Sequence, residues 1–229
     1  MRNTPNPTTN QVSPFAALID LLLFLGLMFF VRTIYFDSLG FWGNGLFKSI
    51  STVGLATALL YYRKQSWKDL GLTKPKNYQR LFIIVAVTLA GTVLSIMLFQ
   101  IFLADMFPSS GESAASANMS KAQSTVIAIV SILTAVWIES FLEELQDRGF
   151  SLNRFQSLFS KVPFSAVLAV LMQAAIFGFR HSYDLSERSM TTGLIGLVFG
   201  IVYVVTGRNL WPLIFAHIML NTMSMADKF

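Results

Sequence analysis

The chain has 229 residues, of which 54% are hydrophobic and only 13% are charged, and it contains no cysteine. A soluble domain carries about 25% charged residues, so this composition predicts a membrane protein with little length left for a soluble domain. The missing cysteines exclude disulfides, thiolate metal sites and cysteine nucleophiles. The net charge of +5 does not indicate nucleic-acid binding, because its largest concentration lies in one short loop, 63–80.

The order of apolar and polar segments predicts an all-α, polytopic transmembrane bundle of about seven or eight helices. Residues 1–14 are rich in Asn, Thr and Pro, and we expect a flexible tail. Residues 15–226 are expected to form one membrane domain. The predicted helices are 15–31, 41–62, 81–103, 123 to about 159, 163–180, 190–206 and 211–225.

The first apolar run, Phe15 to Val31, is interpreted as a membrane helix rather than a signal peptide. It lacks a basic segment before it and a small-residue cleavage site after it. Asp20 interrupts this run. A single acid in a membrane helix is expensive to bury, so we expect Asp20 to face other helices.

The loop 63–80 carries six Lys or Arg residues against the single Asp69. Cytoplasmic loops are enriched in basic residues, which predicts that this loop is cytoplasmic and contacts anionic membrane lipids. The N-terminus is then cytoplasmic, the polar loop 105–122 lies outside, and seven spans would leave the C-terminus outside. No internal repeat is visible, which speaks against the inverted-repeat transporters.

The most unusual stretch is Glu143-Glu144-Leu145-Gln146-Asp147-Arg148-Gly149, which follows the uncharged run from Ser124 to Ile138. Charge within or next to a membrane helix is a functional-site hypothesis by default. Glu144 and Arg148 are four residues apart, share a helix face and are expected to pair. Glu143 has no such partner, so its proton affinity can be tuned for chemistry. The alternative is an ordinary helix end entering water.

Both histidines of the chain, His181 and His217, lie within or at the edge of apolar runs. Phe177 precedes the first by four residues and Asn221 follows the second by four, so each pair shares a helix face. A single histidine in such a place is most often a packing residue. Two histidines so placed, in a chain with a membrane Glu-Glu pair, indicate a site.

These side chains suit the hydrolysis of a peptide bond. A glutamate can take a proton from water, a neutral histidine can hold that water, and Asn and a second His can stabilise an oxyanion. Two histidines and one glutamate are also a zinc ligand set with an open fourth position. The residues leave metal-free and metal-assisted hydrolysis open. No His-Glu-x-x-His and no Gly-x-Ser-x-Gly motif occurs.

The three motifs, Glu-Glu-x-x-x-Arg, Phe-x-x-x-His and His-x-x-x-Asn, occur in the order typical of one membrane family. From about Val136 to Asn221 the chain resembles the CPBP (CAAX protease and bacteriocin-processing, or Abi) intramembrane proteases, which include the type II CAAX prenyl endopeptidases. The resemblance implies a catalytic core at about 123–226 and a glutamate-type protease without a cofactor. Zinc is kept as the alternative, held by Glu143, His181 and His217.

The same resemblance implies roles for the motif residues. Glu143 and His181 would activate the water, and His217 and Asn221 would support the oxyanion. Glu144, Arg148 and Phe177 would support the site. The implied substrate is a peptide or membrane protein, possibly lipidated, and membrane lipids are expected contacts. Two alternatives are a non-catalytic membrane scaffold, immunity or regulatory protein, and a proton-coupled transporter.

Two features do not follow the family pattern. Gln146 and Asp147 are polar where the family often has an apolar or aromatic residue, and Glu139 is an additional acid one turn before Glu143. Upright helices would also place His181 at the far end of helix five, away from the paired acids. We nevertheless expect the three motifs to converge in a polar cavity inside the bundle.

Overall fold

The protein is described here by a computed structural model over residues 12–109 and 126–226, and every regular element in those two ranges is helical. The α-helices are α1 (Pro14–Arg32), α2 (Gly40–Tyr62), α3 (Tyr78–Phe102), α4 (Val126–Glu144), α5 (Leu152–Leu158), α6 (Ser165–Ser182), α7 (Glu187–Val205) and α8 (Trp211–Ala226). A π-helical turn, Leu145–Ser151, joins α4 to α5 without a break. The predicted all-α fold of about seven or eight helices is confirmed over these ranges.

The helix ends differ from the predicted ones by only a few residues. Helix three begins at Tyr78 rather than 81, and helix six begins at Glu187 rather than 190. The first helix begins one residue early because Ser13 accepts a hydrogen bond from the Ala16 amide and Pro14 occupies the first turn. Most of the predicted tail, most of the loop 105–122 and the first residues of helix four lie outside the described residues.

The outer surface of the bundle is apolar, unlike that of a soluble protein. Large apolar side chains are exposed there, such as Phe82 at 68% and Phe102 at 71%. Some charged side chains lie inside, where Arg148 and Arg154 are at most 1% exposed. An apolar exterior with charged groups turned inward is what a hydrocarbon environment favours.

Four helices, α1, α3, α6 and α7, are long and apolar enough to cross a membrane. These are the helices of an integral membrane protein. The sequence predicted seven spans, which is three more than these four. Two of the three further helices depart from a typical span, since α4 carries Glu139, Glu143 and Glu144 and α8 has only 16 residues.

Asp20 faces the other helices, as predicted, and it holds three segments together. Its carboxylate accepts a hydrogen bond from Arg63 Nη2 at 2.8 Å and another from Arg154 Nε at 2.9 Å. Arg63 follows the end of α2 and Arg154 lies in α5. The buried acid therefore fixes the N-terminal helices against the segment that follows the Glu-Glu stretch.

The closest helix packing is between α6 and α7, and glycines make it possible. A Cβ atom at Gly178 would overlap the backbone oxygen of Ser189 and would lie 2.9 Å from Gly193 Cα. Small residues are the usual means by which membrane helices approach closely. Because α6 also carries Phe177 and His181, this contact sets where those side chains lie.

We expect Gly178→Ala to lower the free energy of unfolding by about 1–3 kcal/mol, because α6 and α7 would have to move apart. Gly54→Ala in α2 is the matched control. Its Cβ would meet no atom within 4 Å, so the change should be neutral or stabilising by about 0.5–1 kcal/mol. Unfolding of the purified variants in detergent micelles measures both, and equal stability of the two variants would contradict the packing argument.

Candidate active site

The site is built around one long helical segment that does not end at the Glu-Glu pair. After Glu144 the backbone continues through the π-helical turn and α5 as far as Leu158, roughly 20 Å further at 1.5 Å per residue. All seven residues of the π-helical turn are buried. Single π-helical turns within α-helices are frequent at functional sites, and this one was not predicted from the sequence.

This continuation removes the conflict in depth between the histidine and the paired acids. The sequence predicted that helix four runs to about residue 159, and the helical segment ends at Leu158. The chain then turns and α6 packs antiparallel to it. Glu143 and His181 lie at similar distances along the chain from that turn, so they come together without a steep tilt of α6.

Glu144 is the buried anchor of the site. One oxygen, Oε1, accepts hydrogen bonds from Arg148 Nη1 at 2.9 Å and from His217 Nδ1 at 2.7 Å. Glu144 and Arg148 have no exposed side-chain surface. The predicted ion pair is therefore present, and it also fixes the ring of His217.

The guanidinium of Arg148 lies between two aromatic rings. It is 4.5 Å from the ring centre of Phe177 and 5.0 Å from that of Phe199. Its Nε and Nη2 atoms are buried without a hydrogen-bond partner among the described residues. Cation–π contacts of this kind, which are strongest away from water, help to hold the charge inside the bundle.

Phe177 also sets the orientation of His181. Its backbone oxygen lies 2.6 Å from His181 Nδ1, and the two rings are 4.5 Å apart. A carbonyl oxygen only accepts hydrogen bonds, so Nδ1 carries the proton. When the ring is neutral, the second ring nitrogen of His181, Nε2, carries a lone pair. This nitrogen faces Glu143.

Glu143 lies between the two histidines. Its Oε1 is 3.9 Å from His181 Nε2 and its Oε2 is 3.6 Å from His217 Nε2. The side chain is 14% exposed, so it is mostly buried but open to a cavity. Glu143 is thus the unpaired acid of the stretch with respect to Arg148, as its sequence position suggested.

Asn221 is on the same side of the cavity. Its amide donates a hydrogen bond to Ser140 Oγ at 3.0 Å, which leaves its second N–H available. The structure therefore brings together Glu143, His181, His217 and Asn221 from three helices. The supporting residues Glu144, Arg148 and Phe177 lie directly behind them.

Two further charged residues belong to this cluster and were not identified as site residues from the sequence. Arg180 Nη2 lies 2.7 Å from Asp147 Oδ2 and 3.4 Å from Glu143 Oε1. Asp147 was noted only as a departure from the family pattern. A buried acid in the stretch and an arginine next to the first histidine were the available signals, and pairing them required the fold.

The additional acid, Glu139, is directed towards α2. It accepts a hydrogen bond from Ser49 Oγ at 2.8 Å. Gln146, the other polar departure, accepts one from Thr52 Oγ1 at 2.7 Å. Glu139 and Gln146 therefore both have polar partners on α2, which lies outside the region that carries the three motifs.

The site opens into a cavity of about 540 Å³, a size usual for ligand pockets. The cavity lies between the motif helices and α2. Its lining includes Glu143, His181, His217, Asn221 and Arg180, together with apolar side chains such as Val136 and Leu220. The predicted cavity is present, and its lining mixes polar motif residues with apolar side chains.

The donor atoms for zinc are of the right type, but they are not arranged to hold it. Within residues 12–109 and 126–226, no group of three or more His, Asp or Glu side chains has the geometry of a metal site. Zinc held by Glu143, His181 and His217 stays an alternative prediction for this site.

A family model matches the part of the chain that carries the three motifs. Residues 125–223 match the family model described as type II CAAX prenyl endopeptidase, Rce1-like. This region is similar to the Rce1-like family. The match covers all three motifs and confirms the resemblance seen in the sequence. No curated protein and no solved structure matches the chain.

The Rce1-like match indicates a protease, and it begins within one residue of α4. Helices α1 to α3 lie outside the matched region, although α2 lines the cavity through Asn44 and Lys48. The N-terminal helices therefore contribute one wall of a pocket whose motif residues all come from the matched region.

We expect Glu144→Gln to lower the free energy of unfolding by about 3–5 kcal/mol, because the Arg148 cation would remain buried without its partner. Glu187→Gln is the control, since Glu187 is only partly buried and accepts a hydrogen bond from Gln100. It should cost less than about 1 kcal/mol. Denaturant unfolding in micelles measures both, and equal losses would contradict the role of Glu144 as the anchor.

Proposed function

We propose that this protein is a glutamate-type intramembrane endopeptidase that hydrolyses a peptide bond of a membrane-associated substrate. The observation that carries the proposal is the position of Glu143, whose two oxygens lie 3.9 and 3.6 Å from the Nε2 atoms of His181 and His217 at the wall of the cavity. A carboxylate between two oriented imidazoles is suited to bind and deprotonate one water.

In this mechanism a water binds between Glu143 Oε1 and His181 Nε2, each of which accepts one of its hydrogens. A gap of 3.9 Å leaves room for a bridging water at hydrogen-bond distance from both. Glu143 takes one proton as the oxygen attacks the peptide carbonyl carbon. The same proton then passes from Glu143 to the leaving amine as the C–N bond breaks.

The oxyanion that forms during the attack needs hydrogen-bond donors. The free N–H of Asn221 is one donor. His217 supplies a second when its ring is the imidazolium, because its Nδ1–H is already bound to Glu144. The carboxylate of Glu144 stabilises that charged ring and is itself held by Arg148.

The family match and the cavity support a proposal for the substrate class. Rce1-like proteases suggest a prenylated C-terminal peptide, and a leader peptide or a membrane-protein segment is chemically equivalent at the scissile bond. We propose a multi-pass arrangement in which the basic loop 63–80 faces the cytoplasm and contacts anionic lipids. The substrate would then reach the cavity from within or beside the bilayer.

We expect Glu143→Gln and His181→Ala to reduce cleavage by about 10²–10⁴-fold, since each removes a group that handles the water. The assay uses the protein in proteoliposomes with an internally quenched peptide that carries a prenylated cysteine near its C-terminus. Proteomics of membrane peptides with and without Glu143 would identify the natural substrate.

The matched control is Glu139→Gln, which removes a carboxylate from the same cavity lining but not from the motif. It should retain most of the activity. If Glu143→Gln turns over substrate at the normal rate while its fold is intact, the protein is not a glutamate-type protease. If the wild-type protein itself cleaves no peptide, a scaffold or transporter role takes precedence.

We expect cleavage to survive removal of metal ions, because the proposed mechanism assigns every step to side chains of this chain. Activity measured after treatment with 1,10-phenanthroline and dialysis should equal that of the untreated protein. Loss of activity that added Zn²⁺ restores would instead support the ligand set of Glu143, His181 and His217.

A further inference from the structure

The donors described above leave the oxyanion site incomplete when both histidines are neutral. Each ring has its Nδ1–H committed, His181 to the Phe177 carbonyl and His217 to the Glu144 carboxylate. Each Nε2 is then an acceptor, which can hold water but cannot donate to an oxyanion. Asn221 has one N–H left after its bond to Ser140. A cavity that stabilises negative charge needs another donor.

Arg180 is a permanently charged donor at the required place. Its guanidinium carries five N–H groups, it lines the cavity, and its Nη2 lies 3.4 Å from Glu143 Oε1. Its Nε is buried and has no hydrogen-bond partner among the described residues. A guanidinium that lines the cavity and has an N–H without a partner retains donor capacity for a group that arrives with the substrate.

The position of Arg180 is fixed from two sides. Its Nη2 donates a hydrogen bond of 2.7 Å to Asp147, whose side chain is 1% exposed. Its guanidinium carbon lies 5.1 Å from the centre of the Phe177 ring. Arg180 also lies in the last turn of α6, where the helix dipole favours a cation. Little reorganisation is then needed when charge develops nearby.

We propose that Arg180 is a catalytic residue that donates to the oxyanion of the tetrahedral intermediate, and that Asp147 is the residue that positions it. This rests on the proposed protease function. The carbonyl oxygen of the scissile bond gains negative charge as water adds, and the guanidinium offers its N–H groups without giving up a proton. Asp147 neutralises Arg180 in the resting site and keeps it from binding Glu143 more closely.

The assignment explains the departure at position 147. An apolar residue there would leave Arg180 with Glu143 as its main anionic partner, and a closer ion pair would weaken Glu143 as a base. With Asp147 present, the shorter contact is to Asp147 and the longer one, 3.4 Å, is to Glu143. The acid and the arginine are therefore a matched pair in this chain.

The test compares Arg180→Met, Arg180→Lys and Asp147→Asn with wild type in the quenched-peptide assay. Loss of one oxyanion donor typically lowers kcat by about 10²–10³-fold. We expect that loss for Arg180→Met with KM changed less than about threefold. Arg180→Lys should recover part of the lost kcat. The kcat of Asp147→Asn should lie between that of Arg180→Lys and that of wild type. Arg80→Met, an exposed arginine at the start of α3, is the control and should match wild type.

Two further measurements separate donation from other roles. If Arg180 only kept Glu143 charged, its loss would move the acid limb of the kcat–pH profile upward while kcat at high pH returned to the wild-type value, and that recovery would overturn the proposal. If Arg180 only bound substrate, KM would rise with kcat unchanged, which would also overturn it. Added guanidinium should restore part of the kcat of an Arg180→Ala variant, which a merely structural role would not allow.

The outcome for Glu143 distinguishes this inference from the proposed function. If Glu143→Gln is inactive and Arg180→Met retains normal kcat, only the role of Arg180 is wrong. If both variants cleave normally, the protease mechanism itself is wrong. Should Arg180→Met fail to fold, the Lys variant and the guanidinium rescue decide the question.

Discussion

The structure depends on one buried carboxylate, Glu144, which holds a cation and an imidazole at once. A charged group without exposed surface must have partners, because the cost of removing it from water is several kcal/mol. Arg148 and His217 are those partners, and they come from different helices. The hydrogen bonds of Glu144 therefore join α8 to the long α4–α5 segment. The bond to His217 Nδ1 also directs the other ring nitrogen, Nε2, towards Glu143.

The two adjacent glutamates therefore have different roles, since Glu144 stabilises the bundle and Glu143 is placed for chemistry. Glu144 points into the interior and is fully buried, while Glu143 is 14% exposed at the cavity wall. Residues next to each other on a helix point in different directions, so a Glu-Glu pair can serve both purposes only where an interior and a cavity meet. Polar residues on the neighbouring α2, such as Ser49, complete that boundary.

Sequence reasoning predicted the helices, the Glu144–Arg148 pair, the inward position of Asp20 and the set of motif residues, because each follows from a spacing along one helix or from the cost of a charge in a membrane. It did not predict the π-helical turn, since no local pattern in Leu145–Ser151 indicates it. It also missed the pairing of Arg180 with Asp147, which are 33 residues apart and meet only through the antiparallel packing of α6.

The π-helical turn has a consequence for how sequence length is constrained here. An α-helix advances by roughly 100° per residue, so removing a single residue from Leu145–Ser151 would restore regular winding and rotate everything after it by about that angle. Arg154 would then turn away from Asp20, while Glu143, before the turn, would keep its direction. The widened turn thus acts as a rotational spacer: it lets one uninterrupted helix aim its first half at the cavity and its second half at the N-terminal helices.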